Sequence, residues 1–137
     1  MNKFKTRLRL EEYKPNEWVM LEALVYTTSR KHHHTIAVPR GFITDLASIP
    51  AIFRSFYNRN GKSRKAAVIH DYLYCSQLYS RSESDDIFLE AMEACDVGRA
   101  TRWSMWVAVR AGGWVYWNRR QSDPLGADDF VPDDFFA

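Results

Sequence analysis

The sequence predicts an α+β fold: a small N-terminal antiparallel sheet followed by three helices, making one domain over residues 1–120, with a loose acidic tail over 121–137. Three observations predict it. The first forty-odd residues alternate polar and apolar side chains or run in β-branched and aromatic types, as half-buried strands do. From about residue 64 apolar residues recur at helical spacing. No Lys or Arg follows Arg120, whereas Asp123, Asp128, Asp129, Asp133 and Asp134 do.

A chain of 137 residues with 26% charged and 46% hydrophobic side chains is long enough to bury its own core. Its 15% aromatic content, with five Trp, implies large rings in the core or a contact surface. The net charge of +2 hides an asymmetry. Residues 1–120 hold 19 basic against 12 acidic groups, and the tail carries five acids. An acidic, Phe-containing tail on a basic body is expected to dock, on its own body or on a neighbour. The basic excess is scattered, which argues against specific nucleic-acid binding. "MNKFKTRLRLEE" is not a signal peptide, and no stretch approaches the ~20 apolar residues of a membrane span. Cys75 and Cys95 fall near opposite ends of an expected helical hairpin, too far apart to bridge, which fits a reducing compartment.

In chain order, "KTRLRL", "WVMLEALVYTT" and "HTIAVP" read as strands, the last after a polar turn at Ser29–Lys31. Pro39 and Gly41 end the sheet. "GFITDLASIP" reads as a loop, too broken for an element of its own. After the basic turn "NRNGKSRK", helix one is expected over 64–76. Ser80 or Ser82 caps helix two, and Ser82 has Asp85 three residues on, in the manner of a capping box. Helix two runs to about Cys95, "DVG" breaks the pattern, and a long third helix follows over 99–118.

Polar residues on apolar faces carry the functional argument. Asp85 shares a helical stripe with Phe88, Leu89 and Met92, so it points inward, whereas Asp86, Glu90 and Glu93 form the wet face. A buried carboxylate needs a partner. In "AAVIHDYLYC" His70 and Asp71 sit in the middle of an apolar helix. With a short connection the two helices pair antiparallel, His70 and Asp85 lie about two turns from the loop, and a His70–Asp85 bond follows. It would fix the imidazole tautomer and leave the second ring nitrogen free. Asp71 would then face the preceding loop, whose one acid is Asp45. Two carboxylates and loop carbonyls suit a hard divalent cation, Ca²⁺ above Zn²⁺. His70 as base, Asp85 as its orienting partner and a cation on Asp71 and Asp45 could activate water against an ester carbonyl. Equally, a buried His–Asp pair can simply lock two helices together.

The remaining candidates read as structural. His32 and His34 share a strand face but suit a solvated edge. Arg110 lies in the third helix's stripe with Trp103, Trp106, Val107, Trp114 and Trp117, where it would pair with Asp71 or Asp45 or stack on a Trp. Gly112–Gly113 permits close approach or a bend. Tyr72, Tyr74 and Tyr79 read as packing. Ser48 is present without a context that marks it as activated.

"VPRGFITDLASIP", "AAVIHDYLY", "SRSESDDIFLEAM" and "AVRAGGW" resemble, in order and spacing, the blocks of an uncharacterised domain family common in tailed phages and prophages, over about residues 17–117. The resemblance implies a phage origin among late or tail genes and no agreed activity. It places Asp45, His70, Asp71 and Asp85, but not Asp86, at signature polar positions. More loosely, "HDYLY" followed by a helix with an inward Asp is similar to the core of phospholipase A₂ enzymes. That likeness implies His70 as base, Asp71 with loop residue Asp45 as Ca²⁺ ligands, and Asp85 as the group orienting His70. The chain departs from it: no cysteine precedes His70, the interval to Asp85 is shorter, and the loop is not glycine-rich.

Two functions stay open. One is a virion- or tail-associated accessory component, in which the Trp-rich helix and acidic tail contact phage structural proteins or a second copy. The other is a metal-dependent, phospholipase A₂-like hydrolase acting on host envelope lipid or ester, the only reading that brings the chain to a membrane. Either places it in the host cytoplasm during infection, or in the virion.

Overall fold

The computed structural model describes residues 3–29, 34–53 and 61–137. The fold is α+β, with the strands first and the helices after them. The strands form two small antiparallel sheets. Strands β1 (Leu10–Lys14), β2 (Glu17–Met20) and β5 (Ile43–Thr44) join in the order β1-β2-β5; β3 (Leu24–Thr27) and β4 (Thr35–Val38) make the second sheet.

Three strand expectations change. "WVMLEALVYTT" is not one strand. Val19 and Met20 are consecutive and both wholly buried, which breaks the alternation of a flat strand, and the chain turns at Leu21–Ala23 to enter the other sheet. "GFITDLASIP" does contain an element: β5 pairs with β2 through Trp18↔Thr44 and Val19↔Ile43. Its two residues are too few to show a period, so only the partner strand reveals it. "KTRLRL" contributes Leu10 alone to β1; Lys5 N–H instead donates to the Val25 carbonyl at 2.8 Å, beside β3.

Helix α1 spans Gly61–Ser76, three residues earlier than expected, and is the centre of the molecule. From Ala66 to Cys75 every residue is buried, including His70 and Asp71. A helix apolar all round must be covered all round, and β4 and β5, α2 (Arg81–Ala94) and α4 (Trp114–Ser122) pack against it. Ser80, not Ser82, caps α2: its hydroxyl accepts from Glu83 N–H, and the Glu83 carboxylate accepts from Ser80 N–H, closing the box.

The long third helix bends into α3 (Arg99–Gly112) and α4 at Gly113. A Cβ on Gly113 would collide with the Tyr74 hydroxyl and the Val109 carbonyl, so glycine is what lets this turn lie against α1. Cys75 and Cys95 are both free and buried.

The wet face expected on α2 is half correct. Glu93 is exposed, but Asp86 is half-buried and accepts from the Trp106 indole N–H at 3.1 Å. Glu90 is 4% exposed and accepts from the Tyr26 hydroxyl at 2.6 Å and from Ser29 N–H at 3.1 Å. The β3 end of the sheet covers that side of α2, which no helical period can announce.

The acidic tail, expected to be loose, lies along the body. Arg120 donates to Asp129 at 2.8 Å, Val131 N–H donates to the Gly41 carbonyl at 3.0 Å, and the Arg40 guanidinium stacks 3.7 Å from the Phe136 ring centroid. Gly41 takes φ +89°, which turns the chain into β5 and exposes that carbonyl to the tail.

Candidate active site

Four segments meet at the site. Strand β5 and the turn after it supply Thr44 and Ser48, α1 supplies His70, Asp71 and Tyr74, α2 supplies Arg81 and Asp85, and α3 supplies Arg110. His70 and Asp85 are brought together as the helical spacing predicts. Nε2 of His70 lies 2.7 Å from Asp85 Oδ1, with both side chains wholly buried.

Asp85 collects three further donors. The Tyr74 hydroxyl donates to Oδ1 at 2.8 Å, Arg110 donates to Oδ2 at 2.9 Å, and Arg81 lies 3.5 Å from Oδ2. Burial pushes this carboxyl up, but the bonds from His70, Tyr74 and Arg110 outweigh it and hold Asp85 below the usual carboxylate range. Arg110 therefore pairs with Asp85, not with Asp71, Asp45 or a Trp ring. Arg81 also donates to the Val109 and Arg110 carbonyls at 3.1 and 3.3 Å, capping α3 with a cation where the helix dipole favours one.

The second imidazole nitrogen is not free, contrary to expectation. His70 Nδ1 lies 3.1 Å from the Ser48 hydroxyl. An ionised Asp85 only accepts, so the Nε2 proton points to it, and Nδ1 is left as a lone pair accepting from the Ser48 O–H. Burial lowers the pKa of His70, against the raising effect of Asp85, so the ring is held neutral. It is further confined between the Tyr74 and Phe88 rings, with centroids 4.4 and 4.3 Å away.

Asp71 and Asp45, the expected ligand pair, each accept from donors of the chain itself. Asp71 accepts from the Thr44 hydroxyl at 2.7 Å and from Ser48 N–H at 3.4 Å. Asp45 is exposed and turns back onto Ala47 N–H at 2.8 Å. Burial, with the nearby Asp45 charge, pushes the Asp71 carboxyl up to about 7, against the lowering effect of the Thr44 and Ser48 bonds. Among the described residues no group of three or more His, Cys, Asp or Glu side chains gathers as cation ligands. As placed, these donors do not fit a formed Ca²⁺ site.

Sequence reasoning missed Ser48, Thr44, Tyr74 and Arg81 as members of the site. Tyr74 and Arg81 stand four residues from His70 and Asp85, so helical spacing could have found them. Ser48 and Thr44 lie in a short strand and turn, where no periodicity signals a neighbour. Of the Trp residues, Trp103 and Trp114 are 45% and 53% exposed, with Val107 and Val115 beside them; Trp106 and Trp117 are half-buried. His34 stacks on Tyr79 at 4.4 Å, and His32 lies outside the described residues. No helix among the described residues is long and apolar enough to cross a membrane.

A family profile described as "Protein of unknown function (DUF1353)" matches residues 18–109, which include every residue of the site except Arg110. No match was found among curated proteins or among solved structures.

Proposed function

The chain belongs to this family of proteins of unknown function, DUF1353, and from the geometry of its buried polar line we propose that it is an ester hydrolase with His70 as general base and Asp85 as the group that orients it. The observation that carries this reading is the pair of bonds on one imidazole, 2.7 Å to Asp85 and 3.1 Å to the Ser48 hydroxyl. The ring is neutral, its proton is committed to a carboxylate kept anionic by Tyr74 and Arg110, and its lone pair faces a hydroxyl. That is the proton arrangement a general base needs to activate a hydroxyl against an acyl carbonyl. The likeness of "HDYLY" and the inward Asp to phospholipase A₂ supports an acyl ester as substrate. The likeness of the blocks to tailed-phage proteins supports host envelope lipid as its source, and the host cytoplasm or the virion as its place.

The test is release of p-nitrophenol from short and long acyl esters, and of fatty acid from phospholipid vesicles, by the purified chain and by His70→Asn. Turnover that is lost in a folded His70→Asn supports the reading. A wild-type rate equal to that of folded His70→Asn overturns it.

A second reading rests on a different surface. Trp103, Val107, Trp114 and Val115 are each 45% or more exposed along α3 and α4, a cluster of large apolar side chains of the kind that marks an interaction site. It supports a virion- or tail-associated accessory role in which α3–α4 contacts a phage structural protein or a second copy. Loss of incorporation into particles on Trp103→Ser with Trp114→Ser is the expected result; unchanged incorporation overturns it.

A further inference from the structure

We infer that Ser48 is the nucleophile of this site, and that hydrolysis passes through an acyl group carried on its Oγ. The inference rests on the hydrolase reading and sharpens it, since a general base could equally act on water. Three observations favour the serine.

The first is occupancy. A water activated by His70 would have to sit against Nδ1, and the Ser48 Oγ is already there at 3.1 Å. Asp85 holds the other ring nitrogen, so the lone pair has one hydroxyl to act on.

The second is the backbone. Ser48 follows β5 and precedes a helical turn at 51–53, a strand–turn–helix position. The turn is tight, with Ile49 N–H donating to the Leu46 carbonyl at 3.0 Å, and Leu46 sits in the left-handed region at φ +59°. That conformation is costly for a leucine, and a nucleophile held on a strained turn is a recurrent way to present one oxygen.

The third is the clamp beneath it. Asp71 accepts from Ser48 N–H and from the Thr44 hydroxyl, and Thr44 Oγ1 in turn accepts from Leu46 N–H at 3.3 Å. Asp71 and Thr44 therefore act as positioning residues that hold the turn over α1 and the Ser48 Oγ over the imidazole. Ser48 itself is 3% exposed, and Asp45 and Ile52, three residues before it and four after it in the chain, are exposed.

The step balances without a co-reactant other than water. The Ser48 proton passes to His70 Nδ1 as Oγ bonds to the acyl carbon. The ester C–O bond then breaks, and the imidazolium returns the proton to the departing alcohol. Water attacks the acyl carbon next, giving its proton to Nδ1. The bond between Ser48 Oγ and the acyl carbon then breaks, the imidazolium returns its proton to Oγ, and the carboxylic acid leaves.

The experiment is labelling with an alkyl fluorophosphonate, which phosphonylates activated serines with loss of fluoride, followed by peptide mass mapping and by ester turnover of Ser48→Ala. Expected are an adduct on Ser48 in the wild-type protein and a fall in turnover of about 10³-fold or more in Ser48→Ala, with the circular dichroism spectrum unchanged. Mapping the adduct on the wild-type protein needs no variant to fold. Turnover within tenfold of wild type in Ser48→Ala, or an adduct on another residue, overturns the inference while leaving His70 as a base toward water. Absence of both turnover and labelling in the wild-type protein overturns this inference and the hydrolase reading together.

Discussion

Arg110 donates to Asp85 at 2.9 Å, so the carboxylate that orients His70 is itself held from α3, 25 residues further along the chain. Two helices form the His–Asp pair, but the third helps decide that Asp85 stays charged. The network has one anion, Asp85, against two cations, Arg81 and Arg110, with the imidazole neutral between Asp85 and Ser48.

Removing the anion is therefore costly. Asp85→Ala is expected to lower unfolding free energy by about 3–5 kcal/mol, since it leaves an imidazole N–H and two guanidinium groups without their shared acceptor. His70→Ala is expected to cost less, because Asp85 keeps Tyr74 and both arginines. Urea unfolding of the two variants checks the order. A thermally silent Asp85→Ala would show that the buried network does not exist.

Asp71 gives the pH dependence its sign. Its folded pKa of about 7 stands above the ordinary value near 4. Between those two values the folded chain binds the proton that the unfolded chain has released, so stability falls as pH rises from 4 to 7. The loss is roughly 3–5 kcal/mol and is complete above pH 7. Asp71→Asn is expected to raise the Tm at pH 8 relative to wild type, with little gain at pH 4. In that variant the lowered pKa of His70 is left exposed, with the opposite slope: stability rises with pH up to the unfolded value near 6.5. Parallel Tm profiles for the two proteins would contradict the assignment.

The two neighbouring glycines should behave differently. Gly112→Ala meets nothing within 4 Å, and gains roughly 0.5–1 kcal/mol of helix propensity at most. Gly113→Ala drives a methyl into the Tyr74 hydroxyl and the Val109 carbonyl, and should destabilise by about 1–3 kcal/mol while disturbing the Tyr74–Asp85 bond. Thermal unfolding of the pair measures the difference; equal effects would place the bend elsewhere.

Calcium is expected to leave the protein unchanged. Asp71 spends its oxygens on Thr44 and Ser48, and Asp45 faces Ala47. Calorimetric titration with Ca²⁺, Mg²⁺ and Zn²⁺ should give no saturable heat. A saturable heat that disappears in Asp71→Asn would restore a cation to the mechanism.

Much of the site was legible in the sequence, and the reason is periodicity. The helical repeat puts Asp85 on the stripe of Phe88 and Met92 and puts His70 at a matching height across a short connection, so their meeting follows from local geometry. The same repeat separates Asp85 from its neighbour Asp86. The α+β class and the break at Gly98 were legible for similarly local reasons.

What only the tertiary structure decided are the partners that arrive from distant segments. Arg110 reaches Asp85 rather than Asp71 because the register of α3 against α2 is set by packing, which no single helix encodes. Glu90 is buried because β3 brings Tyr26 to a face that α2 alone would leave in water. Ser48 reaches His70 because β5, two residues long, adds to β2 and pins the following turn over α1. A helix or strand announces which of its faces is buried; which side chain waits on the other side is a property of the assembled layers, and in this protein that includes the hydroxyl facing the base.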